Sequence, residues 1–304
     1  MGDVPADRLT PVRAFYCSGV DYAGPYYVKD RIRSRTLTKT YMCVFVCFST
    51  KAVHLELAGN MTSDAFLNCL QRFIARRGKC AKLYSDNGSN FVGARNELNE
   101  LKELLSNQTH HDRVADFLAG DSIQWHMIPP HGPNFGGLWE SVVGCAKCNL
   151  KRILDNSHLT YEELNTVLIQ VEACLNSRPL SPLSDDPYDL SPLTPAHFLI
   201  RKPLSNLPQR NLVELKTNRL DRCQRMQQIL QHFWNRWRIE YLHLLQQRYK
   251  WRRAMDPNLV PGSMVLIHED NLPPTRWRLG RIKECHPGKD GIVRVVTIHT
   301  AAGD

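Results

Sequence analysis

Three carboxylates stand out by the residues around them: Asp21 in GVDYAGP (19–25), Asp86 in SDNGSNF (85–91) and Glu140 at the end of IPPHGPNFGGLWE (128–140). Any single acid among the 30 in the chain is ordinarily solvated or caps a helix, and Asp86 before Asn87-Gly88 is by itself an ordinary turn residue. Taken as a set they suit one kind of chemistry. Cutting and joining phosphodiesters requires in-line attack, with charge stabilised on both the entering and the leaving oxygen. Two divalent ions about 4 Å apart, held by a few carboxylates, do this. Mg²⁺ (or Mn²⁺) fits such a site, because it prefers oxygen ligands and keeps several waters. The acids would be ligands, and the attacking group a water or a 3′-hydroxyl.

The elements needed to gather these acids can be read from the pattern. Residues 14–28, rich in aromatic and β-branched types, form a strand that contains Asp21. YMCVFVCF (41–48) and AVHLEL (52–57), split by STK, look like a hairpin and complete a three-stranded antiparallel sheet. Thr62 or Ser63 caps a helix running to about Arg77, with Phe66, Leu70, Phe73 and Ile74 at helical spacing and Gly78 as its stop. A strand over 80–85 ends at Asp86. A helix over 90–105 follows, with Leu98, Leu101, Leu104 and Leu105 as its stripe, then a strand over 123–128. The loop 129–137 leads into a helix from about Leu138 to Leu154, and another spans 160–177. This order predicts an α/β fold, a ribonuclease H-like mixed five-stranded sheet with flanking helices. The first and fourth strands would be neighbours, so Asp21 and Asp86 would face one another.

The remainder differs in composition. Residues 179–213 hold seven prolines and read as a linker or extended arm. A helical stretch with Trp234, Trp237 and Tyr241 follows. The end alternates short apolar strands with turns, the pattern of a small SH3-like β-barrel, and stops where one more strand is expected. Residues 1–200 carry 20 Lys and Arg against 21 Asp and Glu, whereas 201–304 carry 19 against 9. The net charge of +9 therefore belongs to the last third, as in a catalytic domain joined to a polyanion-binding appendage.

The ten cysteines are scattered, many of them in apolar runs, and without a secretory signal they read as reduced, mostly buried thiols. Cys145 and Cys148 form a CxxC with no second pair at zinc-site spacing. No apolar run approaches the roughly 20 residues that span a bilayer, so no membrane partner is expected and the protein is read as intracellular.

The three acid motifs resemble, in order, the catalytic motifs of retroelement integrases. HGPNFGGLWESVV and CLNSRPL in particular are similar to integrases of BEL/Pao-type LTR retrotransposons. The resemblance covers about residues 10–200, and the tail from about 217 resembles the basic domain that follows the core in those elements. It implies an N-terminal extension (1–13), an integrase catalytic core (14–178), the Pro-rich linker or arm (179–216), a basic helical segment (217–255) and a truncated small barrel (256–304). It also implies Asp21, Asp86 and Glu140 as the catalytic, metal-binding triad, two Mg²⁺ or Mn²⁺ ions, and element ends and target DNA as partners. A homo-multimer would join two DNA ends in concert, with function in the nucleus. Two departures stand beside the match. The 53 residues between Asp86 and Glu140 exceed the spacing typical of retroviral integrases, the surplus lying around the polar stretch 106–121, and no His/Cys zinc motif precedes the core.

Further residues follow from the same resemblance. Lys147 and Lys151 stand seven and eleven positions after Glu140, on its helix face, and resemble integrase lysines that contact DNA ends. The alternative is a solvated lysine face. Asn87 shapes the turn at Asp86 and could touch DNA or a metal-bound water; His131 and Asn134 could position substrate; Trp139 reads as core. In the tail, Arg236, Arg252, Arg253, Arg278 and Arg281 are DNA-contact candidates, with the neighbouring rings read as packing. The expected function is 3′-end processing and strand transfer. The rival is a host-adopted, non-catalytic DNA-binding or interaction protein on the same scaffold.

Overall fold

The computed structural model describes residues 6–86, 88–106, 123–127, 137–154, 157, 159–245, 260–270, 272–289, 293–301 and 303. The chain divides into two compact units, residues 1–175 with 198–201, and residues 176–197 with 202–304.

The first unit is built on a five-stranded sheet. A short helix α1 (Ala6–Leu9) precedes β1 (Cys17–Lys29), β2 (Leu37–Cys47) and β3 (Val53–Ala58). Helix α2 (Ser63–Arg77), β4 (Lys82–Ser85), α3 (Ser89–Ser106), β5 (Gln124–Met127), α4 (Gly137–Leu154) and α5 (Tyr161–Asn176) follow. The strand order is β3-β2-β1-β4-β5, with β2 antiparallel to its neighbours and β4 and β5 parallel to β1. This is the ribonuclease H-like layout expected from the sequence.

Its core explains why these segments fold as they do. Helix α2 starts where the Thr62 hydroxyl accepts from the Ala65 amide, and it stops at Gly78, whose φ of 82° a side chain would strain. Its buried face, Phe66, Cys69, Leu70 and Phe73, lies on the sheet, with Phe73 stacked on Phe45 at 4.2 Å. Cys43, Cys47 and Cys69 are buried thiols, as expected. The β1–β2 ladder runs regularly through Asp21 and Tyr22 and slips between Ala23 and Tyr26. There Gly24 has a φ of 136° and Pro25 has no amide to donate.

The outer edge of β3 is closed by side chains. Glu172 of α5 accepts from the Leu55 amide at 2.8 Å, and the Leu57 carbonyl accepts from Arg72 and from the Tyr161 hydroxyl, each at 3.0 Å. An open edge would present these groups to other strands. Behind it lies an ionic network with a buried His/Glu centre and arginines reaching solvent: His54 bonds Glu56 at 3.0 Å and pairs with Glu172 at 3.3 Å, Glu56 binds Arg72 at 2.6 Å and Arg76 at 3.2 Å, and Glu172 pairs with Arg77.

The second unit opens with a two-residue pairing of β6 (Ser181–Pro182) with β7 (Pro192–Leu193). Helix α6 (Pro195–Ile200), whose residues 198–200 count with the first unit, and a 3₁₀ turn at Thr217–Arg219 precede α7 (Arg222–Leu245). Trp277 stands edge-on to Trp234, Trp237 and Tyr241 of α7 at 5.0, 5.8 and 5.5 Å. The extended stretch before α7 is held by side chains bonding its backbone. Gln228 donates to the Leu212 and Leu215 carbonyls, Gln231 to the Arg210 carbonyl, and Tyr241 to the Pro179 carbonyl. Strands β8 (Met264–Ile267), β9 (Arg278–Pro287) and β10 (Val293–Thr300) form an antiparallel sheet with β9 central. Among the described residues this sheet has three strands, and the expected SH3-like barrel is not seen; three strands, one of four residues, are too few to close on themselves. No described helix is long and apolar enough to cross a membrane.

The buried centre of the ionic network makes a pH signature. Burial disfavours charged His54, and Arg77 does so further, but hydrogen bonds to Glu172 and Glu56 outweigh both and raise its pKa. Burial alone would raise Glu56, but His54 and Arg72 hold it below the ordinary carboxylate value. A raised histidine contributes stability below its unfolded pKa and loses it as pH rises through the folded one. A depressed Glu56 contributes above the carboxylate range and is lost only as pH falls through its lowered value. We therefore expect wild type to melt above His54→Gln near about pH 5, and the gap to narrow towards about pH 8, across histidine's ordinary range. Thermal melts of both proteins at each pH check this; a gap that stays constant would contradict it.

Candidate functional site

The candidate site forms where β1 and β4 run side by side. Their parallel register pairs Cys17 with Lys82, Ser18 with Leu83 and Gly19 with Tyr84. Continued two residues further, that register sets Asp21 level with Asp86, just past the C-terminal end of β4. In open α/β sheets this is the edge where ligands bind. Asp21 has Val44 of β2 on its other side, so it sits in the middle of the sheet and still reaches solvent.

Each acid is oriented by its neighbours. Asp21 Oδ1 accepts from the Tyr22 amide at 2.7 Å, and Oδ2 is ion-paired with the Lys147 ammonium. Lys147 also donates to the Tyr22 carbonyl at 3.1 Å. Asp86 is exposed, and its Oδ1 accepts from the Gly88 amide at 2.9 Å. Gly88 is constrained here, since a Cβ would lie 2.8 Å from Asn90 Oδ1 and 3.1 Å from Asp86 Oδ1. Beneath this turn, fully buried Ser85 donates to the Asp86 carbonyl at 3.0 Å and accepts from the Trp125 indole at 2.9 Å. The end of β4 is thereby tied to β5.

Helix α4 supplies the third side. Lys147 lies on it, and Glu140 lies in its first turn, about 10 Å along the axis at 1.5 Å per residue. The Glu140 backbone is described and its side chain is not. Among the described residues, no three His, Cys, Asp or Glu side chains gather as a metal-binding group. The donor set present fits a hard divalent cation in kind: two carboxylates level on adjacent strands, Asp21 within β1 and Asp86 just past β4, with an ammonium beside Asp21.

Asn87, His131, Asn134, Arg252 and Arg253 lie outside the described residues, as does the polar stretch 107–122. Lys151 is exposed on α4 and Arg236 is exposed on α7. Arg278 is half-buried and lies 3.5 Å from Glu269. Arg281 lies on β9. It is only 6% exposed, and its guanidinium donates to the Asp189, Gly262 and Ser184 carbonyls at 3.1, 2.9 and 2.7 Å. Those contacts make it a clamp inside the second unit and leave it little to offer a phosphate. The Lys147–Asp21 pairing was missed: spacing puts the lysine on Glu140's helix face, but only tertiary packing brings that face to β1.

Residues 221–304 match a family of unknown function (DUF5641). No curated protein matches the chain. Among solved structures, it is similar to a chain of the simian T-cell lymphotropic virus intasome in complex with PP2A regulatory subunit B56 gamma. Identity there is 17% and the TM-score 0.39, over 68% of this chain and 62% of that one. It is also similar to the HTLV-2 integrase catalytic core domain in complex with magnesium (dimeric form). Identity is 19% and the TM-score 0.36, over 56% of this chain and 92% of that one. The chain thus spans 62% of the length of the first, and both likenesses are partial. The fold rests on the strand order itself.

The support beneath Asp86 can be tested. Ser85→Ala leaves the Trp125 indole N–H without its acceptor in the interior, which is expected to destabilise the protein by roughly 1–3 kcal/mol. Urea unfolding monitored by tryptophan fluorescence measures it; an unchanged midpoint would show that the bond does not contribute.

Proposed function

We propose that the chain is a retroelement integrase of BEL/Pao type, processing 3′ ends and transferring strands of element DNA into target DNA. The observation that carries this reading is the β1–β4 register, which levels Asp21 with Asp86 at the ligand-binding edge of a ribonuclease H-like sheet. Glu140, in the first turn of the helix that packs Lys147 against Asp21, completes the acid set. Two Mg²⁺ or Mn²⁺ ions bound there would stabilise charge on the attacking and leaving oxygens. This chain's own residues hold the carboxylates in place: the Tyr22 and Gly88 amides orient Asp21 and Asp86, and Ser85 anchors the strand below.

DNA would be held through exposed cations, of which Lys151 and Arg236 are placed to serve. The excess positive charge of residues 201–304 supports an electrostatic role for the second unit. The protein would act as a homo-multimer on two DNA ends, in the nucleus. One observation favours the second reading, a non-catalytic DNA-binding or interaction protein: Asp21 is occupied by Lys147, as in a site that does not take up metal.

Asp86→Asn separates the two. Strand transfer of a labelled oligonucleotide into plasmid is expected to fall at least about a hundredfold, the rate loss that several kcal/mol of metal-held charge stabilisation represents. DNA retention on a filter should persist. Full strand transfer by the variant would remove Asp86 from the chemistry, and cleavage without joining in wild type would point to a nuclease.

A further inference from the structure

The two oxygens of Asp21 are both engaged inside the protein. Oδ1 accepts from the adjoining Tyr22 amide, a bond fixed by the strand itself. Oδ2 takes the ammonium of Lys147, 126 positions away in sequence, and the same ammonium is braced by the Tyr22 carbonyl. The pair is neither fully solvated nor sealed, at 22% and 29% side-chain exposure. An ammonium braced on a backbone carbonyl gives up less entropy on pairing than a free surface lysine does. The ammonium thus makes two contacts on β1, where an ordinary surface lysine makes at most one. It also differs from Lys151, one helical turn on and exposed.

Resting on the proposed reading of Asp21 as a metal ligand, we infer that Lys147 is the resident counter-cation of that carboxylate and competes with the divalent metal for Oδ2. Metal-free, the pair neutralises a carboxylate in the middle strand and keeps it aimed at the site edge. When a divalent ion binds Oδ2, Lys147 is expected to leave it, because two cations held against one carboxylate oxygen repel each other. The displaced ammonium stays tethered to α4 beside the site, where a phosphate is the natural next partner. Lys147 is thus a positioning residue in one state and an anion ligand in the other, and its contact with DNA is conditional on metal.

Mn²⁺ binding by the full chain, followed through water-proton relaxation without DNA, tests this independently of activity. Lys147→Met keeps the alkyl stem and removes the charge; its affinity for Mn²⁺ is expected to rise roughly three- to tenfold, as loss of a partly exposed competing ion pair allows. Lys147→Arg should stay near wild type. Lys151→Met, which removes the same charge one turn away, should change little. A wild type that binds no Mn²⁺ while Lys147→Met binds it would support the inference most strongly. Unchanged or weaker binding by Lys147→Met, or equal gains from Lys147→Met and Lys151→Met, would overturn it while leaving the acid site intact. Asp21→Asn distinguishes the deeper failure: if that variant binds Mn²⁺ like wild type, Asp21 is no ligand and both readings fall.

Discussion

The first unit depends on β1 pairing antiparallel with β2 on one side and parallel with β4 on the other. Antiparallel neighbours can follow one another through a tight turn. A parallel neighbour needs a long crossover, and α2 provides it by carrying the chain from β3 back over the sheet. The consequence is chemical as well as architectural. β1 and β4 run parallel from matched starts, so two acids 65 positions apart in sequence come level without any loop having to fold toward the other.

That arrangement was largely legible in the sequence. The strong signals were the continuous apolar run through 41–48, the Phe66–Phe73 stripe at helical spacing, and a Thr cap and a Gly stop on α2. Each corresponds to a local physical cause, and each element lies within a few residues of its expected place. Asp86 and Glu140 could be placed because they fall at element ends, where pattern changes are sharpest, and Asp21 because it sits inside a clear strand run. What the sequence withheld was pairing at long range. Nothing around Lys147 marks Asp21 as its partner, and nothing around Arg281 distinguishes a buried clamp from a surface cation, because charge looks identical in either setting. The three strands of the second unit were visible by alternation, but closure depends on strand count and tilt, which alternation does not encode.

Charge in this protein does two kinds of work. On the far edge of the sheet, His54, Glu56, Glu172 and three arginines form a network whose members satisfy one another and whose outer bonds terminate β3. At the site edge, by contrast, Asp86 is left facing solvent and Asp21 shares a single ammonium. The fold therefore keeps its saturated ionic chemistry away from the edge where exchangeable contacts are useful.

The Arg281 clamp bears on the order in which the second unit can form. Its guanidinium joins β9 to carbonyls at Ser184 and Asp189, 97 and 92 positions earlier. A chain leaving the ribosome from its N-terminus has residues 184–189 outside long before Arg281 exists. Those carbonyls gain their Arg281 bonds only when β9 arrives. By comparison, every strand of the five-stranded sheet lies before position 128, so that sheet has all its partners much earlier. The nascent protein would thus carry a finished sheet ahead of an unfinished tail.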